Sequence, residues 1–466
     1  MLIFFTPCDL CACLRLVLPP FAQLNSSLCF SSGFAAHTAA SMIAPIGCAT
    51  FVLLLLLDAS GLGGSQIGWL LSSTMAGDLV ITLLLTTSAD TCGRRRTLIL
   101  GACLALLGAI TFAATSNFTL LLLAGIVGVI SPAGGDVGPF QAVEQAALAG
   151  LSSQDGGVAA IAESYGRYQA VGEVAKALGS LTGGLVVDAA TSAGASQLQA
   201  YRIPMWIYGA VSLSKALLYA RLSPKVEAPP AAVSHAKSSG GGGAAGIAAM
   251  GGLLARLPCM ATLSPTSRAV VCRLSSLFAV DAFAGGFTMM TFIAFWFRAR
   301  FAMDFGALGA VLAAVNVVAG LSGMLAGQLV ARFGAIETMV FTHLPSNVLL
   351  MLVPLMPSAE TAAAMLVVRC SISQMDVPAR QAYVAWQVRA EERSAAGGLT
   401  AVARSLGLAI SPLLLGTLTD AAPGTVTFDS PFYIAGGLKI LYDLAVWRHF
   451  RTGHGHGQPD EDDDIL

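Results

Sequence analysis

The stretch Ala89-Asp90-Thr91-Cys92-Gly93-Arg94-Arg95-Arg96 stands between two long apolar runs, residues 65–88 and 97–116. Each run has the length of one membrane-crossing helix, about 20 residues. One acid, one glycine and three arginines cannot lie in hydrocarbon, so the bend marks a membrane face, and its arginines mark that face as cytoplasmic. Composition agrees with this reading. The chain of 466 residues is 55% apolar and only 11% charged, whereas soluble domains carry charge on about a quarter of their residues. Its 50 glycines, spread through apolar runs, suit helices packed closely in lipid.

Outward from the bend, the apolar runs predict an all-α integral membrane protein of twelve spans. The first six cover about 36–57, 65–88, 97–116, 118–143, 160–187 and 203–221. The last six cover about 270–297, 303–331, 336–357, 360–386, 396–419 and 431–448. Residues 36–221 thus form one six-helix half and 269–448 the other. Between them, 222–268 holds Pro229-Pro230 and Ser238-Ser239-Gly240-Gly241-Gly242-Gly243, the composition of a flexible cytoplasmic linker. The end, 449–466, is polar and reads as a disordered cytoplasmic tail. Residues 1–35 are apolar in patches but interrupted by Asp9, Arg15 and Pro19-Pro20. A targeting segment, a membrane-surface arm and a misassigned start all fit them. Arginines and lysines gather on the predicted inner side (Arg94, Arg95, Arg96, Arg221, Lys225, Arg332, Arg393, Arg448), while outer ends hold Arg202, Arg298 and Arg300. That bias places both termini inside. Asn117-Phe118-Thr119 in an outer turn has the pattern of a glycosylation acceptor.

The halves repeat. Gly93 and Gly334, the latter in the similar bend Ala331-Arg332-Phe333-Gly334, each precede an Asp-Val pair (Asp136-Val137, Asp376-Val377) by the same distance to within one residue. Val174-Ala175-Lys176-Ala177-Leu178-Gly179 answers Val402-Ala403-Arg404-Ser405-Leu406-Gly407 in the same order. Repeated halves on a loose linker describe a transporter whose site lies between them at mid-membrane.

The opening bend resembles the signature between helices two and three of the major facilitator superfamily, roughly Gly-x-x-x-Asp-Arg-x-Gly-Arg-Arg/Lys. Asp90, Gly93, Arg94 and Arg95 match it, whereas Thr86 and Thr91 stand where a glycine and an arginine are usual. With Ser131 to Ala147, Phe341 to Asn347 and Asp376 to Gly407, the resemblance spans about 36–448 and points to a drug-efflux-like, proton-antiporting branch. It implies twelve helices in two pseudo-symmetric halves and alternating access. It also implies that Asp90 sits against the start of the eleventh helix near Gly397–Thr400, latching the cytoplasmic gate in the outward-facing state, with Gly93, Arg94 and Arg95. A carboxylate gains about 0.3–1 kcal/mol at a helix N-terminus.

An ionisable side chain in hydrocarbon costs about 2.5–3.5 kcal/mol on insertion scales, so each needs a reason. Asp78, Asp281 and Glu173 are candidates for proton coupling, because a buried carboxylate moves toward neutral-range titration. Lys176, Arg404, Asp136, Glu144, Asp376 and Arg380 are candidates for lining the substrate cavity. Lys176 and Arg404 occupy equivalent places in the two halves and suit one anionic group. For each of these the competing reading is a structural pair between helices, and Glu173 with Lys176, one turn apart, fits that well.

The functional expectation is a secondary transporter that moves a small organic solute, with an anionic group among the options, by proton-coupled export. A facilitative uniporter and a non-transporting receptor or scaffold on the same fold are the alternatives. The expected partners are a small molecule, the lipid bilayer and protons, in the plasma membrane or an organelle envelope, with the chain acting as a monomer. No cofactor, metal or nucleic acid is expected. No enzyme is expected either: no glycine-rich phosphate loop with its lysine is present, and His343 lacks a neighbouring nucleophile.

Overall fold

The computed structural model describes residues 49, 52–130, 132–133, 172–221, 264–388 and 393–450. The arm at 1–35, nearly all of the linker, the tail beyond 450, and the candidates Asp136 and Glu144 lie outside the described residues. Helices occur at all twelve expected positions. In the first half they are α1 (52–59) and α5 (172–192), with α2 (Gly64–Cys92), α3 (Arg94–Ala114), α4 (Phe118–Val127) and α6 (Gln197–Tyr219). In the second half they are α7 (Pro265–Gly286), α8 (Met290–Phe301), α9 (Phe305–Phe333), α10 (Ala335–Leu352), α11 (Ala359–Ser373), α12 (Asp376–Trp386), α13 (Arg393–Thr419) and α14 (Val426–Phe450). Among the described residues, 6 helices are long and apolar enough to cross a membrane.

Two spans expected as single helices are each made of two. The seventh breaks between α7 and α8 just after Gly285-Gly286, and the tenth breaks at Gln374-Met375 between α11 and α12. Non-helical backbone at membrane depth is tolerated where it is enclosed by protein or lines a cavity. Helix α4 ends at Val127, and the buried Tyr208 hydroxyl of α6 donates to the carbonyl of Val129 at 2.9 Å. That bond satisfies a carbonyl just past the helix end.

The internal repeat has a backbone counterpart. Gly93 caps α3 at φ 99°, and Gly334 caps α10 at φ 93°. Both lie in the positive-φ region that a Cβ makes costly, so glycine at this register is a steric requirement in each half. Asn117 is the N-cap of α4, and its side chain accepts from the Leu120 N–H. The predicted glycosylation acceptor therefore sits in a turn of three residues (115–117) between two helices, with its amide oxygen already engaged.

The two halves meet most closely near the outer face. A Cβ on Gly416 of α13 would stand 2.1 Å from the Gly64 carbonyl oxygen and 2.8 Å from the Gly68 Cα of α2. A Cβ on Gly184 of α5 would stand 2.9 Å from the Gly309 Cα of α9. These two seams are the pseudo-symmetric images of one another, each zipped by glycine. At the inner end of α13, Gly397 and Gly398 are exposed and a Cβ there would have nothing within 4 Å. Among the described residues the halves are pressed together at the outer seam, while α13 is open at Gly397 and Gly398.

Candidate functional site

Apolar helix α7 carries one acid, Asp281, and buries it to 3% exposure. An isolated carboxylate there would be untenable, and side chains from three other elements meet it. Lys439 Nζ of α14 lies 2.6 Å from Oδ1, Arg404 Nη1 of α13 lies 2.9 Å from Oδ2, and Arg380 Nη1 of α12 lies 3.3 Å from the same oxygen. Arg380 also reaches back one turn to Asp376 at 3.1 Å. A fifth element adds a histidine. His343 of α10 sets Nδ1 2.8 Å from Asp443 Oδ1 and Nε2 3.9 Å from Asp281 Oδ1. The Asn347 amide donates to the other Asp443 oxygen at 3.1 Å.

Asp281, Asp376 and Asp443 thus face Arg380, Arg404 and Lys439, three acidic side chains against three basic ones, with the His343 imidazole between. The Arg404 side chain is 34% exposed while that of Asp281 is 4% exposed, so the cluster opens at Arg404. A guanidinium turned to lipid would be costly, and this edge therefore faces the space between the halves.

Four residues singled out from sequence, Asp281, Asp376, Arg380 and Arg404, come together here. Sequence reasoning missed Lys439 and Asp443, which stand in the apolar twelfth span, and weighed His343 only as a catalytic base. It also missed Lys215, fully buried on α6. In the first half, Lys176 Nζ binds Glu173 Oε1 at 2.5 Å. A Cβ on Gly320 of α9 would meet the Glu173 Cβ at 2.9 Å, so this pair lies where the halves touch. Lys176 and Arg404 are each held by an acid in this arrangement. Asp78 is half-buried on α2.

At the inner bend, Asp90 belongs to the last turns of α2, and its side chain lies outside the described residues. Arg95 donates to the carbonyl of Ala220, the C-cap of α6. Cations at a helix C-terminus satisfy free carbonyls and complement its dipole, so Arg95 fastens helices within one half.

The outer seam carries its own acid pair. Asp420 accepts the Gly64 N–H at 2.8 Å, joining the end of α13 to the start of α2. Nearby, desolvation and then the Asp420 carboxylate push the exposed Asp58 carboxyl above its ordinary value. A raised acid favours the arrangement that raises it while protonated. The outer seal should therefore be firmest below the usual carboxylate range and weaken as outer pH climbs through the raised value. Amide exchange across residues 60–70, corrected for its intrinsic pH dependence, should slow on acidification in the wild type and lose that response in Asp58→Asn.

Alongside two sets of helices, glycine-capped bends in register and a buried charged cluster, comparison with known proteins decides the family. The model of the Major Facilitator Superfamily matches residues 29–375. The chain belongs to that superfamily. It is 28% identical over 407 residues to a Saccharomyces cerevisiae protein described as uncharacterized membrane protein YJR124C, covering 85% of this chain and 88% of the yeast one. Among solved structures, the nucleoside transporter NupG superposes with a TM-score of 0.67 at 14% identity, covering 90% of this chain and 99% of that one. The inward open xylose transporter XylE from E. coli gives 0.65 at 13%, covering 89% and 95%. A bacterial homolog of the human lysosomal transporter Spinster, inward-facing and occupied, gives 0.65 at 14%, covering 93% and 99%. At these identities the likeness is one of fold. Superfamily membership makes the chain a multi-pass integral membrane protein of the transporter kind, not an enzyme.

Proposed function

We propose that this superfamily member is a secondary active transporter that moves a small organic solute by alternating access, coupled to protons. On the drug-efflux-like resemblance of its motifs, the cycle runs as export against proton entry. The observation that carries the proposal is the cluster around Asp281. Charges this expensive to bury are retained where an ion or proton path needs them, and they sit beside the space between two halves that must rock. Asp90 remains the proposed latch of the inner mouth in the outward-facing state, and Lys176 with Arg404 the proposed contacts for an anionic group.

A second reading follows from Arg404. The exposed edge of the cluster is cationic, and a site that gains positive charge on protonation binds an anion better, so proton and organic anion would travel together. The experiment begins with a solute screen in a strain lacking its own efflux pumps. It continues in right-side-out vesicles loaded with the solute found. Exchange predicts that acid outside speeds solute exit; joint movement predicts that acid outside retains it. Flux indifferent to the gradient leaves a uniporter, and no flux of any solute leaves a receptor or scaffold. Arg404→Gln and Lys176→Gln should weaken solute affinity if the group is anionic, and unchanged affinity would remove that assignment.

A further inference from the structure

We propose that His343 is the residue that takes up and releases the coupled proton, with Asp443 as its positioning partner. The inference rests on proton coupling, whichever direction the solute moves.

Each ring nitrogen faces a carboxylate: Nδ1 faces Asp443 at 2.8 Å and Nε2 faces Asp281 at 3.9 Å. A neutral imidazole carries one N–H, so it can satisfy one carboxylate while its lone pair points at the other. The imidazolium keeps its hydrogen bond to Asp443 and adds an ion-pair attraction to Asp281, whose oxygen at 3.9 Å lies beyond hydrogen-bond distance. The other charged groups of the cluster leave no better carrier. Asp281 is already held by Lys439, Arg404 and Arg380, so a proton on it would leave Lys439 and Arg404 without their paired acid in the membrane. Asp376 is held by Arg380, and Asp443 has both oxygens engaged, by His343 and Asn347. Tyr442, edge-on to the ring at a centroid distance of 6.1 Å, completes the surroundings. Adding a proton to a set that is three against three gives it one net positive charge.

The uptake has a mechanical consequence. Lys439 and His343 address the same oxygen, Oδ1 of Asp281. Imidazolium Nε2–H competes with the lysine there, so protonation loosens a tie between α7 and α14. It also gives Asp281 a fourth cation, which weakens its hold on Arg404 at the exposed edge. The proton comes from water at one membrane face and returns to water at the other, leaving the ring neutral.

Two measurements test this on the full chain reconstituted in lipid. In the first, His37, His235, His449, His454 and His456 are replaced by glutamine, so that His343 is the single histidine; His449, the one of the five among the described residues, takes no part in the cluster. Nitrogen NMR of the ring should pass from one protonated nitrogen to two within about pH 5–8, the window in which histidine acts as a switch. A ring fixed in one state across that window overturns the proposal, whatever the flux assays give. In the second, His343→Gln should abolish the roughly tenfold accumulation that one coupled proton sustains per pH unit, while gradient-free counterflow of the same solute persists. Accumulation unchanged in this variant also overturns it. Wild-type flux indifferent to pH would instead remove the coupling reading itself, with the NMR titration still judging the ring.

Discussion

Asp281→Asn is expected to give the largest loss of any single substitution in this protein. The exchange keeps size and shape but removes the charge that Lys439, Arg404 and Arg380 share. Breaking a buried ion pair from one side costs about 3–5 kcal/mol, because the surviving charge is left uncompensated. Here Lys439 of α14 and Arg404 of α13 lose their acid while Arg380 keeps Asp376, so the variant should lose thermal stability in detergent as well as flux. Charge balance gives a sharper test than loss alone. Asp281→Asn with Lys439→Gln restores three helices to near neutrality and should recover much of the stability, with a coupling energy of about 0.5–3 kcal/mol between the sites. Additive losses would mean that Lys439 does not depend on Asp281. Recovered stability with absent proton-driven accumulation would separate the structural duty of the carboxylate from its part in transport.

Gly416→Leu should produce the second largest effect, on conformation more than on folding. The atoms that a Cβ would meet at Gly416 are the backbone of Gly64 and Gly68, which cannot swing aside as a flexible side chain can. Overpacking of this kind costs about 1–3 kcal/mol. Charged to the outer-closed arrangement alone, such a cost shifts the balance toward the outward-facing one by about 5- to 150-fold. Amide exchange should quicken across residues 60–70, beginning with the Gly64 N–H that Asp420 accepts. Gly397→Ala on the same helix meets open space in this arrangement and should leave that exchange as it is. Equal exchange in the two variants would mean that the glycine seam does not set which mouth is shut.

The frame of the molecule was legible because it rests on local rules. A span is an apolar run of fixed length, and a bend with arginines has a side. Gly93 and Gly334 declared themselves because the backbone at those caps admits no Cβ without strain. The cluster was half legible for a different reason. Asp281, Arg380 and Arg404 are conspicuous as charges in apolar runs, and Lys439 and Asp443 carry the same signal one turn apart in the twelfth span. What no run of sequence displays is the partnership, since Asp281 and Lys439 are 158 positions apart and His343 and Asp443 are 100 apart. His343 looked inert for that reason: an imidazole has no charge to notice until its neighbours are known. The break at Gln374-Met375 carries no local signal because neither residue is a helix breaker, whereas the other break follows Gly285-Gly286, a pair that weakens a helix.

The three-against-three balance also has an electrical reading. While the ring is neutral, the cluster itself moves without net charge through the membrane field, and resting potential has no purchase on its movement. One bound proton changes this by about 2.3 kcal/mol for each 100 mV crossed. The loaded and empty return strokes should therefore differ in their response to voltage, so that an electrode could tell which of them a given turnover is making.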